Sequence, residues 1–311
     1  MYRIEYQPRL IEEAVLRAIT GHTGERRFRK ERDRVYVLAD ADAREETFQA
    51  LHQQWYEHLR LAAPLEAALA CWPILKTETH KCVLTRAQSP KEIGADLFVA
   101  PTPSEITPRE RRALVIRLTA ELLTQPHNLL RFLRHEFLHI VDMLDPNFGY
   151  EPELPKSAIG PTYDRLLRDR YRILWDITID GRLVQKGWLE PEIKNNHWLS
   201  FKGAFCGPKT DIENIFSFFF SNQRPVHGDL VAFARSPEGW FVNLSEARPS
   251  KGLCSICNFP TFDFVNTATA LSSLTLERIR EDVPAWQPDQ PICRQCADLY
   301  ESRVSALNST P

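Results

Sequence analysis

Nowhere in the 311 residues is there a run of about 18 consecutive apolar side chains, the length a membrane-spanning helix needs. The opening MYRIEYQPRLIEEAVLRAIT lacks the basic segment followed by an apolar core that marks a secretory leader. A cytoplasmic location with no membrane attachment is therefore the expectation. An excess of one charge is also missing: 39 Lys+Arg against 41 Asp+Glu leave a net −2, which supplies no whole-chain attraction for nucleic acid or anionic lipid. Nucleic acid is accordingly an unlikely partner. Internal repeats and low-complexity tracts are absent. Cysteine is sparse and odd in number, seven in a chain too large to depend on disulfides, and four of the seven stand in two C-x-x-C pairs. That pattern points to metal binding in a reducing compartment. Cys71, Cys82 and Cys206 are scattered and read as small buried hydrophobes.

What is present is an ordinary globular balance, 43% hydrophobic and 26% charged, in a length that accommodates one large domain and a small one. Residues 1–65 read as a mainly helical region. From Ala43 to Leu61 the positions Phe48, Leu51, Trp55, His58 and Leu59 recur at helical spacing. Before them, GERRFRKERDR (Gly24 to Arg34) reads as a solvated, salt-bridged surface in which Phe28 alone could stack on a base. Short β-like runs follow at His80–Ala87 and Ala95–Ala100, while Ala113–Leu123 fits strand or helix. A helix is expected after Pro126, ended by Pro146 and Gly149, and a second from Tyr163 to Gly187. DLVAFARSPEGWFVNLSEA reads as a β-hairpin turning at Pro237, Glu238 and Gly239, and Ile215–Phe220 (IFSFFF) as core. The expected fold is α+β, a mainly helical domain with a small sheet over 66–248 and a small four-cysteine zinc-binding module over 249–311.

The first of those helices carries RHEFLHIVDMLD, with His135, Glu136 and His139 spaced H-E-x-x-H. Two histidines four apart lie one turn apart on one helix face, so both imidazoles reach one ion while Glu136 reaches a water beside it. A chain of this composition meets the pattern by chance only about 0.03 times, and Leu130, Leu133, Phe137, Ile140, Val141 and Leu144 form a separate apolar stripe to anchor the helix. The alternative is a pair of histidines satisfied by ordinary hydrogen bonds.

This stretch resembles the zincin superfamily of metallopeptidases, which implies zinc on His135 and His139, Glu136 as general base, and a protein or peptide substrate. A third protein ligand is needed. In the metzincin-like continuation Asp145 holds its place, but Asp142 stands where a glycine would turn the chain back, so that solution is strained. Asp142 is better placed to orient His139. Resemblance to gluzincins and related enzymes with an aspartate ligand points to the second helix, where WDITIDGRL carries Asp176 and Asp180 one turn apart. Asp180 falls on the stripe of Leu166, Ile173, Ile177 and Val184, where a carboxylate is costly unless paired or bound to a cation. Asp180 is the expected ligand and Asp176 the alternative, the other one holding a ligand histidine. A salt bridge to Arg172 or Arg182 is the competing role for both.

Cys254, Cys257, Cys293 and Cys296 form C-S-I-C and C-R-Q-C separated by thirty-five residues. Four thiolates would close a tetrahedral, structural site, holding zinc or, by spacing alone, iron. Asn258 follows the first pair, where a knuckle needs a residue tolerant of left-handed backbone, and the second pair opens a helix-like stretch, so the module resembles a treble-clef zinc finger. The expectation is thus two zinc ions, one catalytic and one structural, in a metallopeptidase whose terminal module could also dock a protein partner. Two other readings compete: a non-catalytic, zinc-containing regulatory protein, and an SprT-like DNA-associated protease. The latter family takes a third histidine soon after the motif, and here none occurs between His139 and His197.

Overall fold

The computed structural model describes residues 2–101, 107–156, 160–205, 209–240, 252–261 and 263–308. The chain forms a mainly helical α+β structure with small sheets, divided into two compact units, Met1–Pro146 and Asn147–Pro311.

The first unit begins with β1 (Arg3–Tyr6), followed by α1 (Pro8–Ile19), α2 (Glu25–Val35), α3 (Ala41–His58), α4 (Ala63–Cys71) and α5 (Pro73–Glu78). β2 (Lys81–Arg86), β3 (Gly94–Val99), α6 (Pro108–Arg111), β4 (Arg112–Leu118), α7 (Ala120–Leu123) and α8 (Pro126–Leu144) complete it. The strands make one sheet in the order β1-β2-β4-β3, parallel except for β3, which runs antiparallel at an edge. Period-two alternation puts Cys82, Leu84, Leu114, Ile116 and Leu118 at zero exposure, the pattern of a half-buried sheet. α8 packs against α4, α5 and β3.

Four expectations change here. β1 lies inside the region read as helical: its four residues, RIEY, pair in parallel with β2, a partner nearly eighty residues away. The Ala113–Leu123 run splits, because Thr119 caps a new helix by accepting from the Leu122 amide, so β4 stops at Leu118. On α3 the buried side chains are Leu51, His52, Trp55 and Tyr56, while His58 faces solvent, which rotates the apolar face from the expected stripe. Phe28 is 1% exposed, set against the rings of Trp55 and His52, so it cannot stack on a base.

The second unit is organised on α9 (Pro161–Gln185), whose Leu167, Leu174, Ile177, Ile179 and Leu183 are buried. α10 (Ile193–Ala204), α11 (Lys209–Ser221) and α12 (His227–Arg235) pack around it. A Cβ on Gly181 would stand 1.9 Å from the Phe220 carbonyl oxygen, so glycine there is what lets the α11 backbone approach α9. Ile215, Phe216, Phe219 and Phe220 are core as expected, clustered with Phe201, Phe205 and Phe233. The expected hairpin is instead α12 followed by a short 3₁₀ turn at Pro237–Trp240; its second half falls in 241–250, outside the described residues. Leu230, Phe233 and Ala234 are buried at the i, i+3, i+4 spacing of a helix, a period the alternating reading overlooked.

The unit ends with β5 (Gly252–Leu253) paired with β6 (Pro260–Thr261), then β7 (Phe264–Val265), α13 (Thr267–Ala270), α14 (Ser273–Asp282), β8 (Ile292–Cys293) and α15 (Arg294–Asn308). β7 pairs antiparallel with β8, and Trp286 is buried within the segment between the two cysteine pairs. Among the described residues no helix is long and apolar enough to cross a membrane.

Candidate metal centres

On α8 the i, i+4 spacing sets the two motif imidazoles side by side, with ring centroids 4.9 Å apart and planes at 67°. Their Nε2 atoms are 3.3 Å apart. Two nitrogens bound tetrahedrally at Zn–N of about 2.0–2.1 Å sit about 3.3–3.4 Å from each other, so the pair already has the separation of two corners of a zinc site. Both rings are half-buried, with Leu133, Phe137 and Ile140 anchoring the helix on its apolar side.

Glu136 is held from another element. Its Oε2 accepts the Ala95 backbone N–H of β3 at 2.9 Å. In an antiparallel ladder alternate residues turn their backbone polar groups away from the partner strand. Ala100 donates to the Arg111 carbonyl, so even-numbered residues of β3 face β4, and Ala95, Leu97 and Val99 face the open edge. The glutamate is therefore tied to the free edge of the sheet.

The aspartates differ in setting. Asp180 is 7% exposed, and its Oδ2 pairs with His197 Nε2 at 2.7 Å, joining α9 to α10. His197 was not among the residues picked out by sequence, because nothing in a seventeen-residue separation ties it to Asp180. Asp176 is half-buried one turn earlier, Asp142 is 3% exposed on α8, and Asp145 is its C-terminal cap position.

The second centre lies wholly within the C-terminal unit. Cys254, Cys257, Cys293 and Cys296 are at most 6% exposed, and their sulfurs all lie within 4.8 Å of one another. Cys254 Sγ is 3.8 Å from Cys296 Sγ, and Cys257 Sγ is 3.8 Å from Cys293 Sγ. That is far too long for a disulfide, and it matches the edge of about 3.8 Å expected for a tetrahedron with Zn–S near 2.3 Å.

The backbone around the cluster is built for sulfur. Asn258 takes φ +58°, the left-handed conformation expected of it, and its N–H donates to the Cys254 carbonyl at 2.7 Å. The Cys293 amide donates to Cys254 Sγ at 3.2 Å and the Cys296 amide to Cys293 Sγ at 3.4 Å. Interactions among the four crowded thiols push Cys254 far below the ordinary thiol range and, together with burial, raise Cys293 and Cys296 above it. Four thiols this close cannot all ionise by themselves; a cation is what allows it. The donor set and spacing fit one soft tetrahedral ion.

Of the scattered cysteines, Cys82 is fully buried and burial pushes its thiol up to about 12. Cys71 is half-buried, its Sγ donating to the Ala67 carbonyl, and Cys206 lies outside the described residues. Compared with models of known protein families, with curated proteins and with solved structures, the chain matches none.

Proposed function

We propose that the chain is a zinc-dependent metallopeptidase, with a structural zinc in a treble-clef-like C-terminal module. The observation that carries the reading is the 3.3 Å separation of His135 and His139 Nε2, beside a Glu136 carboxylate tied to the open edge of β3. For the third ligand this reading takes Asp176 in preference to Asp180, because the Asp180 carboxylate already holds His197. Asp180 then acts by fixing α9 against α10.

The chemistry that zinc supplies there is Lewis acidity, polarising a carbonyl and making water a competent nucleophile near neutral pH. Glu136 takes the proton of the attacking water and returns it to the leaving amine, so its carboxylate must be aimed, which the Ala95 amide does. The outward N–H and C=O groups of Leu97 and Val99 offer an extended peptide two more rungs of a ladder that starts beside Glu136. A polypeptide added in that register has its backbone led to the Glu136 carboxylate. In the module, the knuckle between β5 and β6 and the β8–α15 junction supply two thiolates each, a closed site with no open position.

The test is hydrolysis of a peptide library with and without chelator, alongside metal content per chain. Two zinc ions in the wild type, one lost in Asp176→Ala but none in Asp180→Ala, and chelator-sensitive cleavage support the reading. Tight zinc with no cleavage of any peptide would make the chain a non-catalytic metal protein.

A further inference from the structure

Each arm of the cysteine cluster sends one side chain to the same buried arginine. Phe259, two residues past Cys257, lies under the guanidinium of Arg170, whose Cζ is 4.3 Å from the ring centroid. The same ring stacks on Tyr163 at 4.2 Å with planes 5° apart. From the other arm, Gln295, between Cys293 and Cys296, accepts from Arg170 Nη2 at 3.3 Å through Oε1. Its Nε2 donates to the Gly203 and Ala204 carbonyls, and Arg170 Nε donates to that same Ala204 carbonyl at 3.1 Å. Phe205 lies on the guanidinium as well, 5.4 Å from Cζ.

Arg170 is 7% exposed. A guanidinium that deep is costly unless ring faces and hydrogen-bond acceptors replace its water, and two of the groups that do so here belong to the cysteine module. Phe259 and Gln295 are thirty-six residues apart in sequence and meet because the four thiols hold the knuckle and the start of α15 together. Tyr163 and Arg170 are seven residues apart on α9 and share a face; Asp176 and Asp180 follow about 9 and 15 Å further along the same axis.

We infer that Arg170 is a positioning residue that makes the placement of α9, and of the aspartates it carries, depend on whether the cysteine cluster holds its ion. With the cluster loaded, both arms clamp the guanidinium and the first turns of α9 are fixed. With it empty, the arms separate, Phe259 and Gln295 leave Arg170, and α9 loosens from that end. The dependence of α9 on the module stands whether or not the chain cleaves peptides; it rests on the proposed function only in taking Asp176 as a ligand.

The experiment uses the full chain as wild type, Phe259→Leu, Gln295→Leu and Cys254→Ser, with amide hydrogen exchange across residues 166–181 and cobalt(II) titration as readouts. Phe259→Leu and Gln295→Leu keep all four thiols, so their cobalt–thiolate absorption should be unchanged. Their α9 amides should nevertheless exchange at least tenfold faster, and cobalt at the histidine site should bind at least tenfold more weakly. Cys254→Ser should show both effects and lose the thiolate band. Unchanged α9 exchange in Phe259→Leu and Gln295→Leu overturns the inference, and these two decide it even if Cys254→Ser does not fold. A wild type that cleaves nothing while its α9 responds as described would remove the peptidase reading and leave this one standing.

Discussion

Glu136 differs from the histidines beside it in being aimed by a different element, through the Ala95 amide. Replacing its carboxylate with an amide leaves the two imidazoles and their 3.3 Å spacing in place but removes the proton acceptor. Glu136→Gln is expected to keep full metal content while kcat falls by roughly 10²–10⁴, the usual contribution of a positioned general base. Equal activity in the variant would remove Glu136 from the chemistry. Gly181 is a residue whose importance is steric: a methyl group there meets the Phe220 carbonyl, so α11 must move off α9. Gly181→Ala is expected to destabilise the chain by about 1–3 kcal/mol in urea unfolding, the cost of overpacking. At this scale the sequence was legible where spacing alone implies geometry. His135, Glu136, His139, the four cysteines and the left-handed Asn258 could all be named from it. The pairing of Asp180 with His197 could not, because nothing local ties the two positions together.

For β3 the functional claim is about an edge. Its odd residues turn their amides outward, so a proline at Leu97 removes an outward donor without costing a bond to β4, whereas one at Phe98 breaks the ladder. Leu97→Pro is therefore expected to melt within a few degrees of wild type while KM for peptides rises, and Phe98→Pro to lose several degrees of Tm. Matching KM values in Leu97→Pro and wild type would show that substrate does not use this edge. Helices announced themselves better than strands. α8 and α9 follow from proline starts and helical periodicity, while β1 is four residues long and exists only through its pairing with β2. The segment read as a hairpin became α12 because both periods fit a short apolar run, and burial against α9 selected the helical one.

In the molecule as a whole, each unit contains a buried histidine held below its ordinary range. Burial does this to His52, with Arg32 adding and Glu12 and Glu45 opposing; burial also does it to His227, with Glu151 opposing. Among the described residues His52 Nε2 has no hydrogen-bond partner, and His227 Nδ1 is 2.8 Å from the Tyr171 hydroxyl. Below about pH 6.5 the unfolded chain takes up protons that the folded one refuses, so this contribution to stability is complete above that pH and is lost as pH falls toward the depressed folded values. Urea midpoints are expected to drop between pH 7 and pH 5.5, and His52→Leu to drop less. An equal loss in the variant would show that His52 does not titrate between the two states. A metal at the cysteine cluster would act on the same balance, since a structural ion would bind only the folded module. Chelation is expected to lower Tm and to accelerate proteolysis between residues 252 and 308 first; a melting curve indifferent to chelator would mean that the cluster folds without an ion.

By itself the sequence determined the two candidate ligand motifs, the helices that carry or follow them, and the helical α+β character, because each depends on spacings of a few residues that the α-helix or a cysteine knuckle converts directly into geometry. Only the tertiary structure decided the rest. It gave β3 its antiparallel edge beside Glu136, paired Asp180 with His197, and brought Phe259 and Gln295 to Arg170. These are contacts between positions from seventeen to 125 residues apart, and no local period records which distant side chain will supply the partner that a buried charge requires.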